Sequence, residues 1–170
     1  MLLRDKKKAK SLFSGGLASS DIKDLKTAKI SMNESSLEFT VQKEKPWRID
    51  SDYYFLQLPA VNNGIDGLGV HLLPKDRTTS LEIASVIDES NDFTFVLPGK
   101  IKPFIPNEKL ELKNHAGSFS YEVKTEGQNV VVHKSLKLEK QLIQLEEYPE
   151  FKTLMDHWNA DRYREVVLVR

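Results

Sequence analysis

Residues 118–138 read Ser-Phe-Ser-Tyr-Glu-Val-Lys-Thr-Glu-Gly-Gln-Asn-Val-Val-Val-His-Lys-Ser-Leu-Lys-Leu. Phe119, Tyr121 and Val123 alternate with Ser118, Ser120, Glu122 and Lys124. This is the period-two signature of a strand with one wet face. Glu126-Gly127-Gln128-Asn129 supplies a turn, and Val130, Val132, Leu136 and Leu138 then face one way. Lys134 is the single exception on that apolar row. Two alternating runs about a Gly-containing turn make a β-hairpin, and it sets an antiparallel fold.

Working outward, the same style recurs. Leu37, Phe39 and Val41 alternate with polar neighbours, and Phe93 to Leu97 forms a strand stopped by Pro98-Gly99. Tyr53-Tyr54-Phe55-Leu56-Gln57-Leu58 is apolar on both faces, which predicts a central strand, and Pro59 ends it because proline has no N–H for the ladder. Val70 to Leu73 and Leu81 to Ile87 are further strands, and Asn62-Asn63-Gly64 and Asp66-Gly67 are turns. Pro103 and Pro106 keep the following stretch extended and away from a sheet centre.

One helix is predicted over 148–160. Tyr148, Phe151, Leu154, Met155 and Trp158 recur at helical spacing, Pro149 suits a first turn, and Glu150 complements the positive end of the dipole. A short run, Val166 to Val169, adds an edge strand. The expected class is mainly β: an antiparallel β-sandwich with one C-terminal helix packed on the sheet. Long helices do not alternate with strands, which excludes a parallel α/β enzyme fold.

The segment 1–20 reads as a linker or the remnant of a preceding domain, since Ser11 to Ser20 is rich in Ser and Gly. A short helix over Leu2 to Leu12 lacks a clean stripe. Residues 21–90 read as a β segment joining a core to a tail, and 91–170 as a C-terminal β domain, with 21–170 taken as one compact β unit. Charged Arg4-Asp5 and Lys6-Lys7-Lys8 follow the first apolar residues, so no signal peptide is expected here.

Composition narrows function. The 170 residues carry 25 basic and 25 acidic side chains, so no net field draws in nucleic acid or an anionic membrane. No apolar run reaches the ~20 residues that span a bilayer. Cysteine is absent, which removes disulfides, thiolate metal sites and thiol nucleophiles. No Gly-x-Ser-x-Gly elbow occurs, and Gly64-x-x-Gly67-x-Gly69 precedes a strand where a phosphate cradle needs a helix N-terminus.

The four histidines, His71, His115, His133 and His157, have no metal-motif spacing. His115 is expected to cap a turn, His133 to lie on the polar side of the hairpin, and His157 to point away from the helix stripe. Asp50 and Asp52 share a face if they lie on one strand, and Glu146-Glu147 serves the helix N-terminus. No catalytic residue, metal or cofactor is assigned. Lys45-Pro46-Trp47-Arg48 leaves two readings open: an indole and cations for glycan or peptide contact, or the start of a strand with its ring packed on the sheet edge.

The block Phe93 to Gly99, the hairpin Phe119 to Leu138, Glu147-Tyr148-Pro149-Glu150-Phe151 and the terminal Glu165 to Arg170 resemble the C-terminal uncharacterised domain of bacterial transglutaminase-like proteins. The likeness extends back to Tyr53 to Pro59 and Arg77. That family places a Cys, a His and an Asp in a papain-like core, and without cysteine none of them carries over. The resemblance implies a larger bacterial parent with periplasmic, extracellular or envelope-associated placement. The expected role is a non-catalytic accessory domain packing against the transglutaminase-like neighbour and shaping its cleft. The alternative is a β-sandwich module binding cell-wall glycan or peptide. Trp47, Arg48, Tyr53 and Arg77 are the residues expected to contact ligand or partner. Nucleic acid and direct membrane insertion are not expected.

Overall fold

The structure, a computed structural model, describes residues 13–14, 22–30, 34–42, 47–61, 64–65 and 74–170. In chain order the strands begin with β1 (Phe13–Ser14), β2 (Ile22–Ile30), β3 (Ser35–Val41), β4 (Trp47–Asp50), β5 (Tyr53–Gln57), β6 (Ala60–Val61) and β7 (Leu81–Glu82). They continue with β8 (Ile87–Val96), β9 (Lys102–Pro103), β10 (Glu108–Asn114), β11 (Gly117–Glu126), β12 (Asn129–Leu138) and β13 (Leu142–Ile143). Helix α1 (Tyr148–Asn159), a 3-10 turn (Asp161–Tyr163) and β14 (Glu165–Val169) close the chain. Every strand pairing is antiparallel. The chain is mainly β with one helix among the described residues.

Two compact units are present, one of residues 1–46 and 59–67, the other of 47–58 and 68–170. The first holds the β2–β3 hairpin, whose register shifts twice, and the β1–β6 pair. Phe13 and Ser14, inside the Ser/Gly-rich segment read as linker, thus pair with Val61 and Ala60. The helix expected at Leu2–Leu12, the strand at Val70–Leu73, His71 and the turns at 62–63 and 66–67 lie outside the described residues.

The second unit is built on a four-stranded sheet in the order β10-β11-β12-β8. Three consecutive hairpin-linked strands with β8 beside the third is a Greek-key order. The pattern read in the sequence sets the register: Phe119 faces Leu136, Val123 faces Val132, and Val130 faces Phe95. Gly127, at φ 64°, turns the β11–β12 hairpin. Gly117, at φ 152°, has a different reason: a Cβ there would lie 1.9 Å from the Lys137 carbonyl oxygen. Strand β8 runs through residues 90 and 91 and begins at Ile87, while the run expected as one strand over Leu81 to Ile87 is broken after Glu82.

Helix α1 covers the inner face of this sheet. Its stripe of Tyr148, Phe151, Leu154, Met155 and Trp158 is buried. Three polar ties fix it. Asn114 Nδ2 donates to the Glu150 carbonyl at 3.0 Å, the His115 N–H donates to the Glu150 carboxylate at 2.8 Å, and Lys134 Nζ donates to the Trp158 carbonyl at 2.8 Å. Lys134 is only 6% exposed, and its ammonium sits 4.2 Å from the Trp158 ring centroid. The odd lysine on the apolar row therefore meets the carbonyl-rich end of the helix, where a cation is favoured.

A second four-stranded sheet has the order β4-β5-β14-β9. Leu56, Val166, Leu168 and Pro103 bury its inner face. As the sequence implied, β5 is central. β14 is not an edge strand: it lies between β5 and β9, because Val166 to Val169 is apolar on both faces and pairs on both sides. Proline-containing β9 takes the edge instead.

Candidate functional site

The outer face of the Greek-key sheet carries paired polar side chains. His133 Nδ1 lies 2.8 Å from Asp92 Oδ1, and Ser120 and Ser135 hydroxyls lie 2.9 Å apart. The register sets Glu122 opposite His133 and Ser120 opposite Ser135. These are cross-strand polar pairs on a wet face. Lys124 beside Glu122 holds that carboxyl below its ordinary range. No group of three or more His, Cys, Asp or Glu side chains able to hold a metal occurs among the described residues.

The remaining candidates fall elsewhere. His115 occupies the β10–β11 turn, where its N–H and ring hold the Glu150 carboxyl below its usual range. His157 does not point away from the core as expected: its ring stacks at 5.9 Å on Tyr163 and lies 6.0 Å from Phe119. The Thr153 carbonyl, 2.8 Å from His157 Nδ1, fixes that orientation. Asp50 and Asp52 do not share a strand face, since Asp52 lies in the β4–β5 turn. Glu147 accepts the Gln144 N–H at 3.1 Å and pairs with Lys140, which together lower its pKa.

The outer face of the second sheet is different in kind. Cross-strand pairs share a face, so Arg48 joins Phe55, Asp50 joins Tyr53, and Val167 joins Phe55. Val169 pairs with Tyr53, and Phe104, whose N–H bonds the Val167 carbonyl, sets its ring edge-on to Tyr53 at 5.7 Å. The result is a partly exposed apolar strip. Phe104 is 56% and Tyr53 39% exposed, with Phe55, Val167 and Val169 half-buried around them. Arg48 lies 4.1 Å over the Phe55 ring at one end of the strip.

Three of the four residues expected at a contact site therefore lie on the β4–β5 hairpin, but on two faces. Arg48 and Tyr53 belong to the exposed strip. Trp47 faces the other way, edge-on to Tyr54 at 5.9 Å, and so matches the packed-ring reading. Arg77 is remote from them: it donates to the Thr79 carbonyl and lies 5.6 Å from the Tyr148 ring, while Tyr148 OH donates to the Pro74 carbonyl. Sequence reasoning missed Phe55, Phe104, Val167 and Val169 as members of the strip. The signal was present in two strands apolar on both faces.

Residues 52–168 match the model of a family described as a domain of unknown function with a solved structure, DUF3858. The chain belongs to the DUF3858 family. The matched span holds β5, the Greek-key sheet, α1 and nearly all of β14, that is, most of both sheets. Among solved structures, the fold is similar to a crystal structure from Parabacteroides distasonis described as "a putative protease". The TM-score is 0.67 at 22% identity, over 71% of this chain and 24% of that one. The DUF3858 chain thus spans about a quarter of the length of the solved structure it matches. Comparison with curated proteins returns no match. No helix among the described residues is long and apolar enough to cross a membrane.

Proposed function

We propose that this chain is a non-catalytic accessory domain of a larger bacterial transglutaminase-like protein, exported to the periplasm or cell surface. The strip on the second sheet packs against the catalytic neighbour and shapes its cleft. One observation carries the reading: the outer face of the β5–β14 pair is apolar from the Tyr53–Val169 pair to the Phe55–Val167 pair, before the polar Gln57–Glu165 pair, with Tyr53 and Phe104 projecting from it. A sheet face in water normally alternates to polar side chains, and a contiguous apolar strip marks a contact surface. Membership of DUF3858 and the roughly threefold longer solved relative support placement in a larger chain.

A glycan-binding role has less support. Stacking against sugars favours a flat aromatic platform, and the Tyr53 and Phe104 planes cross at 82°.

Carbene footprinting tests the docking role. Tyr53 and Phe104 are expected to label strongly in the isolated chain and to be protected in the parent protein. Equal labelling in both would overturn it. As a second readout, Tyr53→Ser with Phe104→Ser in the parent is expected to lower kcat/KM of whatever hydrolysis or transamidation the parent performs. The melting transition of the isolated chain should move little.

A further inference from the structure

We infer that the free edge of β4 is a self-association site that pairs with β4 of a second copy, two-fold about Ile49. The argument starts from the hairpin. Asp50 pairs with Tyr53 and only Ser51 and Asp52 lie between them, so this closing pair is the hydrogen-bonded one. Alternation then turns the N–H and C=O of Arg48 and Asp50 toward β5. Those of Ile49 point to the opposite side, where no described strand follows β4 in the sheet. Ile49 is 60% exposed, and the side chains of Arg48 and Asp50 are 61% and 67% exposed.

An unpaired edge is a template for another strand, and natural edges are commonly blocked by lysine, proline or bulges. The other edge of this sheet carries Lys102 and Pro103. β4 carries neither lysine nor proline. Its four residues, Trp-Arg-Ile-Asp, are instead self-complementary when run antiparallel about Ile49. Ile49 then faces Ile49 in a hydrogen-bonded pair. Arg48 faces Asp50 of the second copy in the closely spaced, non-hydrogen-bonded pair, and Asp50 faces its Arg48. Centring the axis on Arg48 or on Asp50 would set like charges opposite each other. Charge therefore selects one register. By contrast β8, an edge of the Greek-key sheet, carries Asp88, Glu89 and Asp92 with no cation, so a second copy beside it meets repulsion.

The occupant is a second copy of this chain, and the paired edge joins two four-stranded sheets into one. A four-residue strand offers a small interface, so the dimer is weak, with a dissociation constant on the order of 0.1 mM. The inference uses the edge of the sheet and is independent of the docking role given to its outer face.

Sedimentation of the full 170-residue chain tests it. Raising the concentration from about 10 µM to about 1 mM should raise the mean mass from one chain toward two. Ile49→Pro removes an N–H that points away from β5, so it is expected to abolish association while leaving the hairpin intact. Arg48→Asp alone and Asp50→Arg alone each set like charges opposite and should weaken association at least tenfold. Mixing those two variants restores complementarity and should return the dimer. A wild-type chain that stays single at about 1 mM overturns the inference. So does a mixture of the two charge variants that associates no better than either alone.

Discussion

The two four-stranded sheets of the second unit are built from the same alphabet and bury their faces differently. In the Greek-key sheet, β11 and β12 alternate strictly, with Phe119, Tyr121, Val130, Val132 and Leu136 buried and Ser120, Glu122, His133 and Lys137 outside. In the second sheet, β5 and β14 are apolar on both sides over 53–56 and 166–169, and only the Gln57–Glu165 pair is polar. Leu56, Val166 and Leu168 fill the core, while Tyr53, Phe55, Val167 and Val169 form an outer strip. Alternation marks a face finished by water. Its loss in a strand with a solvent-facing side marks a face finished by something else. The first sheet closes its outer face with polar pairs, and the second leaves an apolar strip to which the proposed docking is assigned.

The largest loss is expected in the Greek-key sheet. Phe119 is fully buried against Tyr163, opposite Leu136. Phe119→Ala should cost about 3–5 kcal/mol in denaturant unfolding. On the outer strip, Phe104→Ala should change the stability of the isolated chain by less than about 0.5 kcal/mol, because Phe104 buries little there. Similar losses at both positions would mean that the strip already belongs to the core of this domain.

Lys134 gives the next effect. Lys134→Ala removes a charged hydrogen bond to the Trp158 carbonyl and the stem packed beneath that ring, and should cost about 2–3 kcal/mol. Lys134→Met keeps most of the stem, so the difference between the variants separates charge from packing. Hydrogen exchange should rise first at the C-terminal turn of α1. Unchanged exchange there would mean that the amine does not fasten the helix.

Alkaline pH acts on the same buried face. Burial, then the nearby Glu108 carboxylate, pushes the Tyr121 phenol well above its ordinary value of 10.0. A group whose folded pKa is raised stabilises the fold fully below its unfolded pKa, and that stability is lost as pH rises beyond it. The melting temperature of the wild-type chain should therefore fall above pH 10, and Tyr121→Phe should flatten that decline. An equally steep decline in the variant would remove Tyr121 from the account.

Much of the architecture was legible because it rests on local period and chain punctuation. The 118–138 hairpin, the core-facing exception at Lys134, the central β5 and the helix stripe all followed from spacing. What escaped depends on partners distant in sequence. β10, Glu-Lys-Leu-Glu-Leu-Lys-Asn, and β2, with its scattered lysines, carry weak apolar rows and become strands through pairing. β14 was placed at an edge because nothing within Val166–Val169 says that β9 will cap it. His157 lies off the apolar helix stripe in the sequence, yet Tyr163 from the following turn folds back over it. The exposed strip was half legible: the hairpin carrying Arg48 and Tyr53 stood out, whereas Phe104 joins it only through the sheet.

The smallest expected effect lies in the turn that sets the β4 edge. Ser51 has φ 54° while Asp52 does not share the positive sign, the pattern of a type II′ hairpin turn, whose first central position favours glycine. A side chain in the left-handed region costs roughly 1 kcal/mol. Ser51→Gly relieves that strain but frees the unfolded chain, so the net gain should be only about 0.5 kcal/mol. Its value is diagnostic. Relaxing the turn steadies the β4–β5 register without altering any side chain on either face. If the β4 edge is the self-pairing element, Ser51→Gly should leave dimerisation equal or slightly stronger. If it weakens dimerisation while stabilising the fold, the pairing strand lies elsewhere, and the exposed hairpin is left only with the docking role proposed for Arg48 and Tyr53.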